Sequence, residues 1–202
     1  DAIGEIVFGG ADGDQFHPTA IIQSTVEAGV GNNDMPGALL FYTNSGATTA
    51  TERMRISSAG YITAPQQPYA MLGINANQAV PYNSSHEVIF NSVMYDTASA
   101  YNSSNGRYVV PVTGDYLVTF DCQYTGAVNS FHLGIALNGG SPGTNFDLWN
   151  HTGDNIRGDN IARVIRVTAN GSNYISFFTY TNTGGGGNLE PNRTKATIKF
   201  LG

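Results

Sequence analysis

The stretch Asn145-Phe146-Asp147-Leu148-Trp149-Asn150-His151-Thr152 sets the chain's one tryptophan among amides, a carboxylate and an imidazole. Aromatic faces stack on the C–H faces of sugars, and amides and carboxylates bond sugar hydroxyls, so this mixture reads as saccharide recognition. Trp149, Asn150 and His151 are the first candidates. Arg157, Tyr180 and Arg193, in neighbouring Asn-rich stretches, add donors and cations suited to an anionic polysaccharide. The competing assignment puts Phe146 and Leu148 in the core and Trp149 at a subunit interface.

Residues with the types for reaction chemistry are poorly arranged for it. Gly139-Gly140-Ser141-Pro142-Gly143 has the spacing of a nucleophile elbow, but such a serine opens a helix, and Pro142-Gly143-Thr144-Asn145 starts none. Gly184-Gly185-Gly186-Gly187 lacks the Lys-Ser/Thr of a phosphate loop and reads as a flexible tip. Asp154 and Asp159 could serve as a glycosidase acid and base, as could pairs in any loop rich in Asn and Asp. Asp12-Gly13-Asp14 with His17 offers oxygen and nitrogen ligands without the spacing of a calcium loop, and reads as a polar turn. His86, His132 and His151 show no helical pairing of the kind zinc sites use. The expectation is a non-enzymatic protein with no cofactor and no metal.

The elements that position these residues are strands. Only 12% of the 202 positions are charged, whereas Gly, Asn, Thr and Ser make up 78 residues; this excludes coiled coil and long helix. An apolar share of 41% with 11% aromatics argues against disorder. Nine basic residues against fifteen acidic ones leave no basic patch for nucleic acid. The single Cys122 rules out an intrachain disulfide. No run of 18 apolar residues offers a membrane-spanning helix, and a start on Asp1 without Met reads as an excised C-terminal fragment.

Ala64-Pro65-Gln66-Gln67-Pro68 reads as a linker, since its two prolines cannot continue a helix or a central strand. It divides a shaft-like segment, 1–63, from a head, 69–202. The first part carries seven acids and two bases, the remainder eight acids and seven bases, so the acidity belongs to the shaft. In the shaft, residues 6–8, 20–22 and 37–43 read as strands, and the β-branched residues between 19 and 28 favour extended chain over helix. Three such short strands cannot enclose a core in one chain, so partner chains are expected. In the head, strand signals recur at 69–74, 88–95, 107–111, 116–124, 131–137, 161–168, 174–180 and 196–201, the number and spacing of a jelly roll. Tyr116, Val118, Phe120 and Cys122 alternate with Leu117, Thr119 and Asp121, placing one face on the core.

Two resemblances bear on this division. Gly37-Ala38-Leu39-Leu40-Phe41-Tyr42-Thr43, followed by Thr51-Glu52-Arg53-Met54-Arg55-Ile56-Ser57-Ser58-Ala59-Gly60-Tyr61-Ile62, resembles a segment that precedes the C-terminal domain of bacteriophage tail fibres. That resemblance implies an intertwined trimeric shaft; by itself the second stretch reads as a hairpin, with Met54 and Ile56 on one face and Arg53 and Arg55 on the other. From Val88 on, Phe90, Tyr101-Asn102, Gly106-Arg107-Tyr108, Pro111 and Gly114-Asp115-Tyr116 are spaced as in the globular heads of the complement-one-q and tumour necrosis factor superfamily. The later matches are Gly134-Ile135-Ala136-Leu137-Asn138-Gly139, 164–168 with Asn170-Gly171-Ser172, and 196–201. That resemblance implies a trimerising jelly roll of ten strands. Long Asn/Gly loops, 141–158 and 181–193, depart from the family, so the resemblance carries no ligand site over to this chain.

The combined expectation is all-β: an intertwined β-rich trimeric shaft followed by an antiparallel, TNF-like jelly-roll sandwich. It would be the receptor-binding tip of a phage tail fibre, located on the virion and so extracellular. Its partners would be two further copies and a host-surface polysaccharide, lipopolysaccharide or protein, with no nucleic acid and no membrane insertion. The alternatives are a secreted complement-like adhesin or signalling head, where Asn83, Asn150 and Asn170 stand in glycosylation sequons, and a tailspike-like depolymerase.

Overall fold

The computed structural model describes residues 2–27, 29–126, 130–139, 148–152, 158–181 and 187–202, with backbone placement alone for residue 130 and residues 148–152. The chain divides into two compact units, Asp1–Gln66 and Gln67–Gly202. Strands form all the regular structure among the described residues, with no helix.

The first unit is a single antiparallel sheet whose strands neighbour one another in chain order: β1 (Ala2–Ala11), β2 (Phe16–Val26), β3 (Gly37–Thr43), β4 (Thr51–Ile56) and β5 (Ile62–Thr63). Residues 19–26, where β-branched side chains favour extension, lie within β2. Pro18 inside this strand has no N–H to give the ladder, and there the register slips: Phe8 pairs with Ala20 but Gly9 with Pro18, and the skipped Thr19 bonds Phe8 O through its hydroxyl at 2.8 Å. A second irregularity, where Phe41 faces Met54 but Tyr42 faces Glu52, leaves Arg53 unpaired and its side chain on Thr43 Oγ1. Met54 and Ile56 share one face as expected, and Arg55 lies on the other. There Arg55 pairs with Glu52 at 3.1 Å and with Glu27 at 3.6 Å.

The pairings Ile6–Ile22–Phe41–Met54 and Leu39–Ile56–Ile62 run across the strands on the same side of the sheet. With Phe8 on that side too, one face is continuously apolar, yet Ile6, Phe8, Leu39 and Ile62 are exposed. Only Ala38 and Leu40, on the opposite face, are buried. A single layer has nothing to cover its apolar side.

The second unit packs two sheets face to face. β6 (Tyr69–Gly73), β9 (Ser92–Asp96), β12 (Gly114–Thr125), β15 (Gly158–Val167) and β18 (Lys195–Phe200) form one in the order β9-β6-β18-β12-β15, extended by β7 (Gln78–Val80) and β17 (Gly187–Leu189). β11 (Arg107–Val109), β16 (Tyr174–Thr181), β13 (Ser130–Leu137) and β14 (Leu148–Thr152) run side by side in the other, with β10 (Tyr101–Asn102) beyond β11 and β8 (Ser84–Glu87) also on β16. Tyr116, Val118, Phe120, Cys122 and Tyr124 alternate into the core, meeting Ile175 and Phe177 from the facing sheet. This is a jelly-roll sandwich.

Of the strand expected over 88–95, residues 92–95 alone are strand, in β9; the preceding strand, β8, ends at Glu87 and lies in the other sheet. Residues 88–91 cross between them, with Val88 and Phe90 fully buried. Val88 N donates to Phe177 O at 2.8 Å, and side chains take up the groups that follow: Gln78 receives Ile89 N and donates to Ile89 O, and Phe90 N donates to Tyr101 Oη at 2.7 Å. Apolar runs of this kind cannot distinguish a strand from a buried crossing. Phe200 N donates to Pro68 O, and Leu201 N and Gly202 O bond Asp115, so the last strand closes beside the first.

Candidate functional site

The outward side of the sheet centred on β16 brings polar and aromatic side chains together. Ile175 and Phe177 face the core, so Tyr174, Ser176, Phe178 and Tyr180 alternate to the other side. Ser85 stands opposite Tyr180 and Glu87 opposite Phe178, while His132 and Gly134 flank the same two residues from β13. Gly134 is required by close approach: a Cβ there would lie 1.9 Å from the Phe178 ring. On β11, Tyr108 enters the core and Arg107 therefore points outward.

Arg107 lays its guanidinium over the Tyr174 ring, 4.3 Å from its centroid. Tyr174 is held by Asn138, whose N donates to Tyr174 O at 2.8 Å and whose Oδ1 accepts Tyr174 N at 3.0 Å. The Tyr174 hydroxyl rests against Gly139, which adopts φ of +76°. A cavity of about 190 Å³ opens between these groups, lined by Ser85, Glu87, Arg107, Gly139, Tyr174, Ser176 and Phe178. Sequence reasoning passed over Arg107 and Tyr174, although each is next to a core position and so had to face outward.

Of the residues expected at the site, Tyr180 donates its hydroxyl to Asn83 Oδ1 at 2.7 Å and meets the His132 ring edge-on at 5.4 Å. Arg193 is held on the other sheet by Gln123 Oε1 at 2.9 Å and Glu190 at 3.8 Å. Trp149, Asn150 and His151 lie on β14, with backbones opposite Leu133, His132 and Phe131. The stretch expected as one long loop, 141–158, thus contains a strand, and β17 likewise falls inside the expected loop 181–193. Arg157, Ser141, Asp154 and the glycines at 184–186 lie outside the described residues.

The Asp12, Asp14 and His17 ligand atoms lie within 4.8 Å of one another. Asp12 Oδ1 accepts the backbone N–H of Asp14 and Gln15, and Oδ2 is 3.3 Å from His17 Nε2. The Asp12 carboxyl sits below its ordinary value, chiefly through a hydrogen bond with the Asp14 side chain. These groups satisfy one another as a polar turn does. Cys122 is fully enclosed and burial pushes its thiol up, away from the reactive thiolate.

Burial holds His86 and His132 below their ordinary pKa. The folded chain therefore prefers the neutral imidazoles, and the unfolded chain binds more protons once the pH falls below about 6.5. The melting temperature is expected to fall as pH drops from 7.5 to 5, and His86→Gln should shallow that slope. A melting temperature flat across this window would contradict the assignment.

A family model described as the C1q domain matches residues 71–152. An uncharacterized protein of Bacillus subtilis (strain 168), YqcC, is 29% identical over 125 residues, covering 58% of this chain; the chain spans about a third of that protein's length. Murine APRIL is similar in structure with a TM-score of 0.50 at 12% identity, over 67% of this chain and 99% of APRIL. The Eiger TNF of S. frugiperda gives the same score at 14% identity, over 68% of this chain and 94% of its own. The second unit thus has the jelly-roll fold of these structures and is similar to the C1q domain over residues 71–152.

Proposed function

We propose that this chain is the distal part of a trimeric, non-enzymatic attachment fibre of a bacteriophage, the sheet of residues 1–63 serving as shaft and the C1q/TNF-like head recognising a glycan or protein on the host surface. The observation that carries the reading is the shaft sheet's uncovered apolar face, with Ile6, Phe8, Leu39 and Ile62 open on one side. Apolar area of this extent marks an interface. The head supports the same arrangement: Tyr69, Met71, Tyr95, Leu117 and Val164 come together on the outward side of its β9-β6-β18-β12-β15 sheet. Three heads on one fibre turn weak single sites into strong attachment through avidity.

Light scattering at micromolar concentration should give about 64 kDa, three chains of 21.4 kDa; a 21.4 kDa species would overturn the reading. Fluorescently labelled protein should then decorate bacterial cells, beginning with Bacillus subtilis, the source of the similar protein YqcC. The second reading, a secreted adhesin or signalling head, draws on the likeness of the head to APRIL and Eiger TNF; binding to animal cells but not bacteria would favour it. Release of reducing ends from host polysaccharide would instead mark a depolymerase.

A further inference from the structure

We propose that the cavity between Arg107, Tyr174 and Glu87 is a binding subsite for one neutral sugar ring, held through a pair of adjacent hydroxyls. This deepens the attachment reading above and rests on it for the identity of the macromolecule that carries the sugar.

The first observation is an orphaned donor. Arg107 Nε is buried and, among the described residues, has no hydrogen-bond partner, and no carboxylate of the described residues lies within 4 Å of the guanidinium. A guanidinium carries five donors and is never deprotonated. Arg107 is half-buried as a residue, but its Nε is enclosed, and a buried donor without an acceptor is costly and calls for an explanation. The Tyr174 face stabilises the cation from one side but offers its in-plane N–H groups nothing.

The second observation is what shares the cavity. Glu87, exposed and unpaired with Arg107, supplies an acceptor, and the Ser85 and Ser176 side chains supply hydroxyls. A donor fork and an acceptor set apart by more than ion-pair distance match a vicinal diol. One hydroxyl accepts from Arg107, its neighbour donates to Glu87, and the serines take the remaining capacity. Phe178 and Tyr174 line the same space and offer apolar surface to the ring's C–H groups. A volume of about 190 Å³ suits one sugar ring and excludes a drug-sized ligand. The carboxylate also decides the ligand's charge, because an anion on Arg107 would sit in one small cavity with Glu87.

The geometry is set before any ligand arrives. Asn138 fixes Tyr174 through two hydrogen bonds, and β16 carries Ser176 and Phe178 at fixed spacing. Little ordering is therefore left for the ligand to impose.

The test is saturation-transfer NMR on the full chain with the methyl pyranosides of glucose, mannose and galactose, alongside methyl glucuronide. At least one neutral pyranoside should bind with a millimolar dissociation constant. Arg107→Gln and Glu87→Gln should each weaken it tenfold or more, and Arg166→Gln, an exposed arginine on the other sheet, should not. Glu87 is exposed, so its variant keeps the fold and retains a readout if Arg107→Gln does not. Preference for the glucuronide, tighter binding in Glu87→Gln, unchanged affinity in both variants, or no binding at 50 mM would each overturn the subsite. Labelled protein that still coats cells in those cases would leave the attachment reading standing. Sugar binding at the cavity by protein that coats no cell would do the reverse.

Discussion

Replacing Phe177 with alanine is expected to lower the melting temperature of the head by roughly 10–20 °C. Phe177 is fully buried where the two sheets meet, with its ring centroid 5.3 Å from those of both Phe90 and Phe120. Phe90 and Phe120 also meet edge-on, at 6.1 Å, so the three rings form a closed set. Truncation removes one member of two aromatic pairs and leaves a cavity that strands fixed in two sheets cannot collapse to fill. A buried Phe→Ala change costs about 3–5 kcal/mol, a large part of the roughly 5–15 kcal/mol that holds a domain together. Phe177→Leu keeps most of the volume and should cost less than half as much. Thermal melts followed by near-UV circular dichroism read both variants. A shift below 3 °C for the alanine variant would mean that the aromatic set does not hold the sheets together.

The second large effect concerns assembly. Ile6 and Val7 are consecutive residues on β1, 60% and 48% exposed, on opposite faces of the shaft sheet. Ile6 belongs to the apolar row with Ile22, Phe41 and Met54; Val7 faces the side that carries Glu52 and Arg55. Ile6→Glu would place three carboxylates in the proposed interface. Each loses about 1.5–3 kcal/mol of apolar burial and adds several kcal/mol of desolvation. The trimer should dissociate at micromolar concentration. Val7→Glu, chemically the same change one residue on, should leave the mass unchanged. Sedimentation velocity on the pair separates an effect of the face from an effect of the charge, and equal masses for the two variants would remove the apolar face from the interface.

Within each strand, alternation made the inward side legible. Tyr116, Val118, Phe120 and Cys122 are buried in the order that the sequence sets out, and the position of β3 is the one its residues predict. What alternation does not encode is which sheet a strand joins. The crossing at residues 88–91 is held by side chains from Gln78 and Tyr101, and such bonds leave no periodic mark. Short strands with few β-branched residues, β7, β8, β10 and β17, also escaped, because their pairing comes from neighbours rather than from their own composition.

The candidate site was legible only in chemical type. Reading for an aromatic residue among amides led to Trp149, Asn150 and His151, in a stretch defined by its neighbours along the chain. The cavity joins Ser85, Glu87, Arg107, Tyr174 and Ser176, which come from three separate strands and meet only because β8 and β11 pair with the same edge of β16. The outward direction of Arg107 and Tyr174 followed from their neighbours in sequence; their stacking did not.

The bond from Phe200 N to Pro68 O places the first and last strands of the head side by side, with both junctions at one end. A domain whose two ends emerge together can be replaced as a cassette, because a substitute needs to match only one attachment point. Swapping residues 67–202 for another domain of the same closure would leave the sheet of residues 1–63 untouched and, on the attachment reading proposed above, would change what the protein attaches to. A peptide fused after Gly202 would emerge beside Pro68 and Asp115.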